Sequence, residues 1–216
     1  SPKFGQFQPL VFKRLWYLIY GIAGSTAKNL PAYMSGVGSL IDDVTLGIFS
    51  RGVGICEAFF QPLSKLNSVL LGQWINNNTR GERANFGYIC VASILIVFLA
   101  TLLYPIICWL LLLLLELLDA SSWEGLMIHF PYLYVLCGVW AVRRFWERYA
   151  WQDTDSVKFL SVLSIVGLLF VFLGLYFYSN HGANHLKLSE LVFAMVGYSL
   201  YMILIAILGR QWRLPR

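Results

Sequence analysis

The chain has 216 residues, of which 58% are hydrophobic and only 12% charged, with a formal net charge of +5. A soluble domain carries about a quarter charged residues, so this composition excludes a water-solvated globule and calls for lipid around part of the chain. The positive balance does not point to nucleic acid, because the basic residues sit at the ends of apolar runs, where they orient membrane spans and meet anionic headgroups.

The chain begins at Ser1, as expected of a processed, tagged or partial product. Pro2 to Pro9 reads as coil, and Leu15 to Gly24 is apolar but too short to span upright. Lys13 and Arg14 ahead of that run give it a faint likeness to a signal peptide, although the run is short and aromatic. Pro31 to Gly38 holds three breakers and reads as a connection. From Ile41 to Trp74 an apolar stripe recurs every three or four residues, through Ile41, Thr45, Ile48, Gly52, Ile55, Phe59, Leu63, Leu66, Leu70 and Trp74, which is helical period. A helix with one such stripe lies along a membrane surface or along other helices. Its partner-binding face is therefore expected at Ile41, Ile48, Ile55, Phe59, Leu63, Leu66, Leu70 and Trp74, with a bend at Pro62. The Asn76 to Gly81 cluster turns the chain towards the first span.

Four runs are apolar enough to cross a bilayer: Phe86 to Leu118, Leu126 to Val142, Phe159 to Tyr178 and Leu191 to Gly209. A span needs roughly 20 residues. The first run exceeds this and has Pro105 near its middle, which leaves a kinked span and a re-entrant segment both open. Charge decides the count. With one span in that run, Arg80, Arg83, Arg143, Arg144, Arg148, Lys158, Arg210, Arg213 and Arg216 share one side, opposite Glu116, Asp119, Glu124, Lys187 and Glu190. The positive-inside rule then favours four spans, with the C-terminus on the cytoplasmic, matrix or stromal side of a bacterial inner membrane, mitochondrial inner membrane or thylakoid. Gly167, Gly174, Gly182, Gly197 and Ser199 are expected to let helices approach closely. The expected fold is an all-α integral membrane protein, with residues 1–80 an amphipathic, interface-lying or partner-binding region and residues 81–216 a four-span bundle.

Three groups of residues in the N-terminal half carry a family resemblance. They are Phe12-Lys13-Arg14-Leu15-Trp16-Tyr17, then Ile41-Asp42-Asp43-Val44 with Gly47, then Thr79-Arg80-Gly81 before Phe86-Gly87-Tyr88. Over residues 4–104 this order resembles the C-terminal end, a lateral helix plus last span, of the antiporter-like membrane subunits of respiratory complex I, NDH and membrane-bound hydrogenases. The resemblance implies a brace along a proton-translocating complex, with other integral membrane subunits as partners. The family's proton-channel lysines and glutamates lie in earlier helices, so no pumping residue carries over, and three further spans follow here where that family's chain ends.

Few residues point to chemistry. His181 and His185 are spaced i, i+4 and share a face if a helix covers both. With His129 on the same expected side, they are candidates for a metal, haem or quinone, against the plainer role of a polar rim. Glu116, at the end of a leucine run, is a candidate proton relay or an interfacial anchor. Arg143, Arg144 and Arg148, interleaved with Trp146 and Trp151, suit an anionic lipid headgroup as well as topology determination. Cys56, Cys90, Cys108 and Cys137 form no CxxC, and three lie in apolar runs, where a thiol behaves as a small hydrophobe. No Walker A, GxGxxG, HExxH or GxSxG motif occurs. The sequence thus points first to a non-catalytic structural subunit of a proton- or electron-transporting membrane complex. It points second to a small membrane enzyme or cofactor protein using His129, His181 and His185, and last to a transporter or channel.

Overall fold

A computed structural model describes residues 8–36, 40–77, 82–117, 124–150, 154–182 and 186–211. The elements among them are seven helices: α1 (Gln8–Lys28), α2 (Leu30–Gly36), α3 (Asp43–Asn77), α4 (Glu82–Leu117), α5 (Glu124–Ala150), α6 (Thr154–Gly182) and α7 (Leu188–Gln211). Four of them contain stretches long and apolar enough to cross a bilayer: Phe86–Leu117, Gly125–Ala150, Val157–Ser179 and Leu188–Gly209. The chain is an all-helical integral membrane protein. The long apolar run is one continuous helix through Pro105, so the re-entrant alternative falls. α5 also runs through an internal proline, Pro131, and carries on past Val142 to Ala150.

The Pro31 to Gly38 connection is corrected. Leu30–Gly36 is helical, because Pro31 sits in a first turn, where a missing N–H costs nothing. Asn29 marks the junction. Its N–H and its side-chain amide both donate to the Ser25 carbonyl at 3.0 Å, closing α1, while its own carbonyl accepts the Tyr33 N–H at 3.2 Å, opening α2. Coil at the N-terminus also ends earlier than expected, since Gln8 and Pro9 are already helical.

Two compact units divide the chain, the first made of residues 1–42 and 146–216 and the second of residues 43–145. This division cuts across the one at residue 80.

In the first unit α1 packs along α6, and α6 along α7. Ser161 on α6 places its hydroxyl 2.9 Å from the Trp16 carbonyl of α1 and 2.7 Å from the Val157 carbonyl of its own helix. Tyr198 and Tyr201 of α7 donate to the Ser164 and Leu163 carbonyls at 3.2 and 3.4 Å. Gly209 lies by Phe159, so α7 runs antiparallel to α6. The small-residue expectation holds at Gly167, where a Cβ would come within 2.6 Å of the Tyr201 ring, but not at Gly174 or Gly197, where it would meet nothing within 4 Å. α7 is started by Glu190, whose carboxylate accepts the Lys187 N–H at 3.0 Å and the Tyr178 hydroxyl at 3.1 Å. This is the back-reaching half of a capping box.

In the second unit α3 runs beside α5 in the same direction. Ile48 meets Gly125, Gly52 lies under Leu126 and Leu133, and Phe60 meets Tyr134 and Gly138. α4 runs the opposite way to α5, because Tyr104 stacks near Phe130 while Tyr134 donates to the Ala100 carbonyl at 2.8 Å. The inner row of α3 is Phe49, Val53, Cys56 and Phe60, all buried. That row adjoins the stripe read from the sequence, whose Ile48 and Gly52 also meet α5.

Candidate functional site

In the second unit an apolar groove of about 400 Å³ lies between α4 and α5, closed at one side by Phe60 of α3. α4 supplies Ile96, Val97, Ala100, Thr101 and Tyr104, and α5 supplies Pro131, Tyr134, Val135, Gly138 and Val139. Both sets recur at three- and four-residue steps, so each is one face of its helix. The groove exists because Gly138 and Ala100 bring almost no side chain to the helix crossing. Its back wall is an aromatic cluster in which Tyr134 lies 5.0 Å from Phe60, 5.1 Å from Tyr104 and 6.0 Å from Phe130 between ring centres. Its hydroxyls are turned inward to the protein. Thr101 donates to the Val97 carbonyl at 2.8 Å, Tyr134 to the Ala100 carbonyl, and the Tyr104 hydroxyl is bonded to Cys108.

An ion pair lies one helical turn from Phe60. The Arg144 guanidinium is 3.4 Å from the Glu57 carboxylate, with side-chain exposures of 44% and 28%. Of the three arginines expected at a lipid headgroup, Arg144 is exposed, Arg148 half-buried and Arg143 buried. Glu147, which the sequence reading did not single out, is also buried. Its signal was its place four residues after Arg143 in one helix. Glu57 had no local signal at all, since its partner is 87 positions away.

The histidines do not share one described helix. α6 ends at Gly182 and α7 begins at Leu188, so His181 is in the last turn of α6 while His185 lies outside the described residues. His129 is half-buried on α5, between the Gly125 and Leu133 positions that meet α3, and its Nδ1 is buried without a hydrogen-bond partner. Among the described residues, no group of three or more His, Cys, Asp or Glu side chains is placed to hold a metal ion. Glu116 is exposed near the end of α4.

On the face assigned to partners, Ile41 is buried in the first unit, Ile48 and Ile55 are half-buried and Phe59 is 40% exposed. The side chains of Leu63, Leu66, Leu70 and Trp74 lie outside those described, although the helix itself continues through them to Asn77. Comparison with family models, with curated proteins and with solved structures returns no match to this chain.

Proposed function

We propose that this chain is a non-catalytic structural subunit of a larger membrane complex, of the proton-pumping or electron-transferring kind that residues 4–104 resemble. The outward face of α3 carries the reading. That helix runs beside α5, a candidate span, yet it exposes Arg51, Gln61 and Lys65 together with Phe59. Lipid tails solvate Phe59 well, but Gln61 beside it is polar. Arg51 and Lys65 lie towards the two ends of α5, Arg51 next to the Gly52–Leu126 contact and Lys65 about two turns beyond Glu57, which reaches Arg144. A face of such mixed chemistry is better covered by another protein subunit than by lipid. The remaining parts fit a supporting role. Arg143, Arg144 and Arg148 mark the basic side, assigned to the cytoplasm, matrix or stroma, and anionic headgroups gather there.

Mild-detergent native electrophoresis from the source membrane, with mass spectrometry of what comigrates, tests this. Comigration with other integral subunits, lost on converting Arg51 and Lys65 to Leu, is the expected result. Migration as a lone small species would sink the proposal. A second reading, a cofactor-binding membrane protein, draws on His129, whose orphaned Nδ1 is a ligand atom without a partner. Stoichiometric metal or a visible absorbance lost in His129→Ala would favour it instead.

A further inference from the structure

We propose that the groove between α4 and α5 is a specific seat for one hydrocarbon chain of a bilayer phospholipid. Depth comes first. The α5 lining, Pro131 to Val139, is centred within the candidate span Gly125–Ala150, and the α4 lining, Ile96 to Tyr104, within Phe86–Leu117. At the middle of a span the surrounding solvent is acyl chain. Chemistry comes second. The hydroxyls of Thr101, Tyr104 and Tyr134 are each engaged within the protein, so the lining offers nothing to orient a polar ring or a headgroup.

Length comes third. Eight residue steps from Ile96 to Tyr104 cover about 12 Å at 1.5 Å per residue, a stretch that mid-chain methylenes, with carbon contacts at about 4 Å, can follow. The aromatic wall and the bare Gly138 backbone then supply the close contacts that hold a chain in one place, since transfer between two apolar media contributes little.

The test is photolabelling of the full chain in phosphatidylcholine vesicles with a phospholipid carrying a diazirine in mid-chain, followed by peptide mapping. Labelling is expected to concentrate on residues 96–104 and 131–139, and to disappear there in Ala100→Phe while persisting at Leu112 to Leu114. The control Leu102→Phe, on the same helix but outside the lining, keeps the groove signal. Labelling spread evenly over the exposed apolar residues, or unchanged in Ala100→Phe, overturns the proposal. So does labelling present in the isolated chain and absent in its native membrane complex, which would mean that protein fills the groove.

A separate observation carries a second inference: α1 and α2 together cross the membrane beside α6. Two hydrogen bonds fix their ends. The Ser161 hydroxyl reaches the Trp16 carbonyl one turn inside the start of the α6 span, and the Leu186 N–H donates to the Leu40 carbonyl at 2.8 Å just before α7, at the far end of that span. Between Ser161 and Ser179, α6 rises about 27 Å, close to a hydrocarbon thickness of about 30 Å. The twenty residue steps from Trp16 to Gly36 supply about 30 Å as helix. Leu15, Leu18 and Ile22 form an exposed apolar row on α1, as a lipid-facing side requires. The charges agree, with exposed Arg14 at the Lys158 end and Asp42 at the Glu190 end. Exposed Lys28, between the two ends, is the cost, and a lysine stem is long enough to lessen it by snorkelling.

Single cysteines replacing Asp42 and Lys158, in a chain whose four natural cysteines are changed to Ala, are to be labelled with an impermeant maleimide in sealed vesicles of known orientation. Labelling from opposite faces is the expected result, and labelling of both from one face overturns the inference. A bimane placed at Leu18 and quenched by bromolipid but not by aqueous iodide gives a second readout, and the reverse pattern likewise overturns it.

Discussion

The two compact units of this chain solve the same problem by different means. Each lays an N-terminal helix along a span, α1 on α6 in one and α3 on α5 in the other. The first unit ties its helices with hydroxyls aimed at backbone carbonyls, from Ser161, Tyr198 and Tyr201, and seats two tyrosine rings against the bare backbone of Gly167. The second relies on ring contacts around Tyr134 and leaves a groove beside them. Burial does not follow the division, since α7 of the first unit and α5 of the second are both more buried than α6 or α4. Because lipid tails are as apolar as leucine, contact quality and hydrogen bonds decide how firmly helices associate. The first unit therefore rests more on hydrogen bonds between helices, and the second more on ring contacts.

The largest expected effect tests the close approach in the first unit. Gly167→Leu would drive a side chain into the Tyr201 and Tyr198 rings, which are themselves held by their hydroxyl bonds and cannot swing away freely. Overpacking of this kind costs about 1–3 kcal/mol, read as a lower midpoint in SDS-induced unfolding. Gly174→Leu, in open space on the same helix, should leave the midpoint close to wild type. Equal losses in both would break the comparison. Gly52→Ala sharpens it. The atoms it meets are methyl ends of Leu133 and Leu126, so the neighbours can yield and the loss should be about 1 kcal/mol, at the low end of overpacking costs.

The four spans were legible in the sequence because about twenty apolar residues in a row have few other uses. The helical period of α3 was legible too, but not the width of its inner face. Ile48 and Gly52 of the expected stripe pack on α5, and so does Phe60 of the adjacent row, through residues some 80 positions apart. α2 escaped because Pro31 was weighed as a breaker rather than as a first-turn residue. The groove was invisible for the same reason as the α3 face. Its walls are harmless apolar positions on three elements, and only their meeting leaves a gap.

A smaller effect separates the two kinds of helix tie. Tyr134→Phe removes the hydroxyl that reaches the Ala100 carbonyl while keeping the ring. Interhelical hydrogen bonds in membranes average about 0.6 kcal/mol and reach about 1.7. The loss should lie in that range, with the aromatic cluster left in place. Ser161→Ala should cost less, because its hydroxyl is shared between the Trp16 and Val157 carbonyls. A larger loss for Ser161→Ala than for Tyr134→Phe would mean that α1 depends on one bond, contrary to the packing seen along α6.

The smallest effect is expected at the Glu57–Arg144 ion pair of the second unit. Glu57 and Arg144 lie 3.4 Å apart with both groups partly exposed, and exposed pairs contribute about 0.2–1 kcal/mol in double-mutant cycles. Arg144→Gln, Glu57→Gln and the double variant form such a cycle. In detergent micelles, where water reaches the exposed faces, a coupling below about 1 kcal/mol is expected. In lipid vesicles the outcome separates two surroundings for α3. If its outer face is bathed in lipid, removing one partner leaves the other in a medium less polar than water, and the single variants lose more than the double by a margin greater than in micelles. If a neighbouring subunit covers that face, the penalty appears only in the isolated chain and vanishes in the native complex. The same three variants therefore report whether the second unit is finished by lipid or by protein.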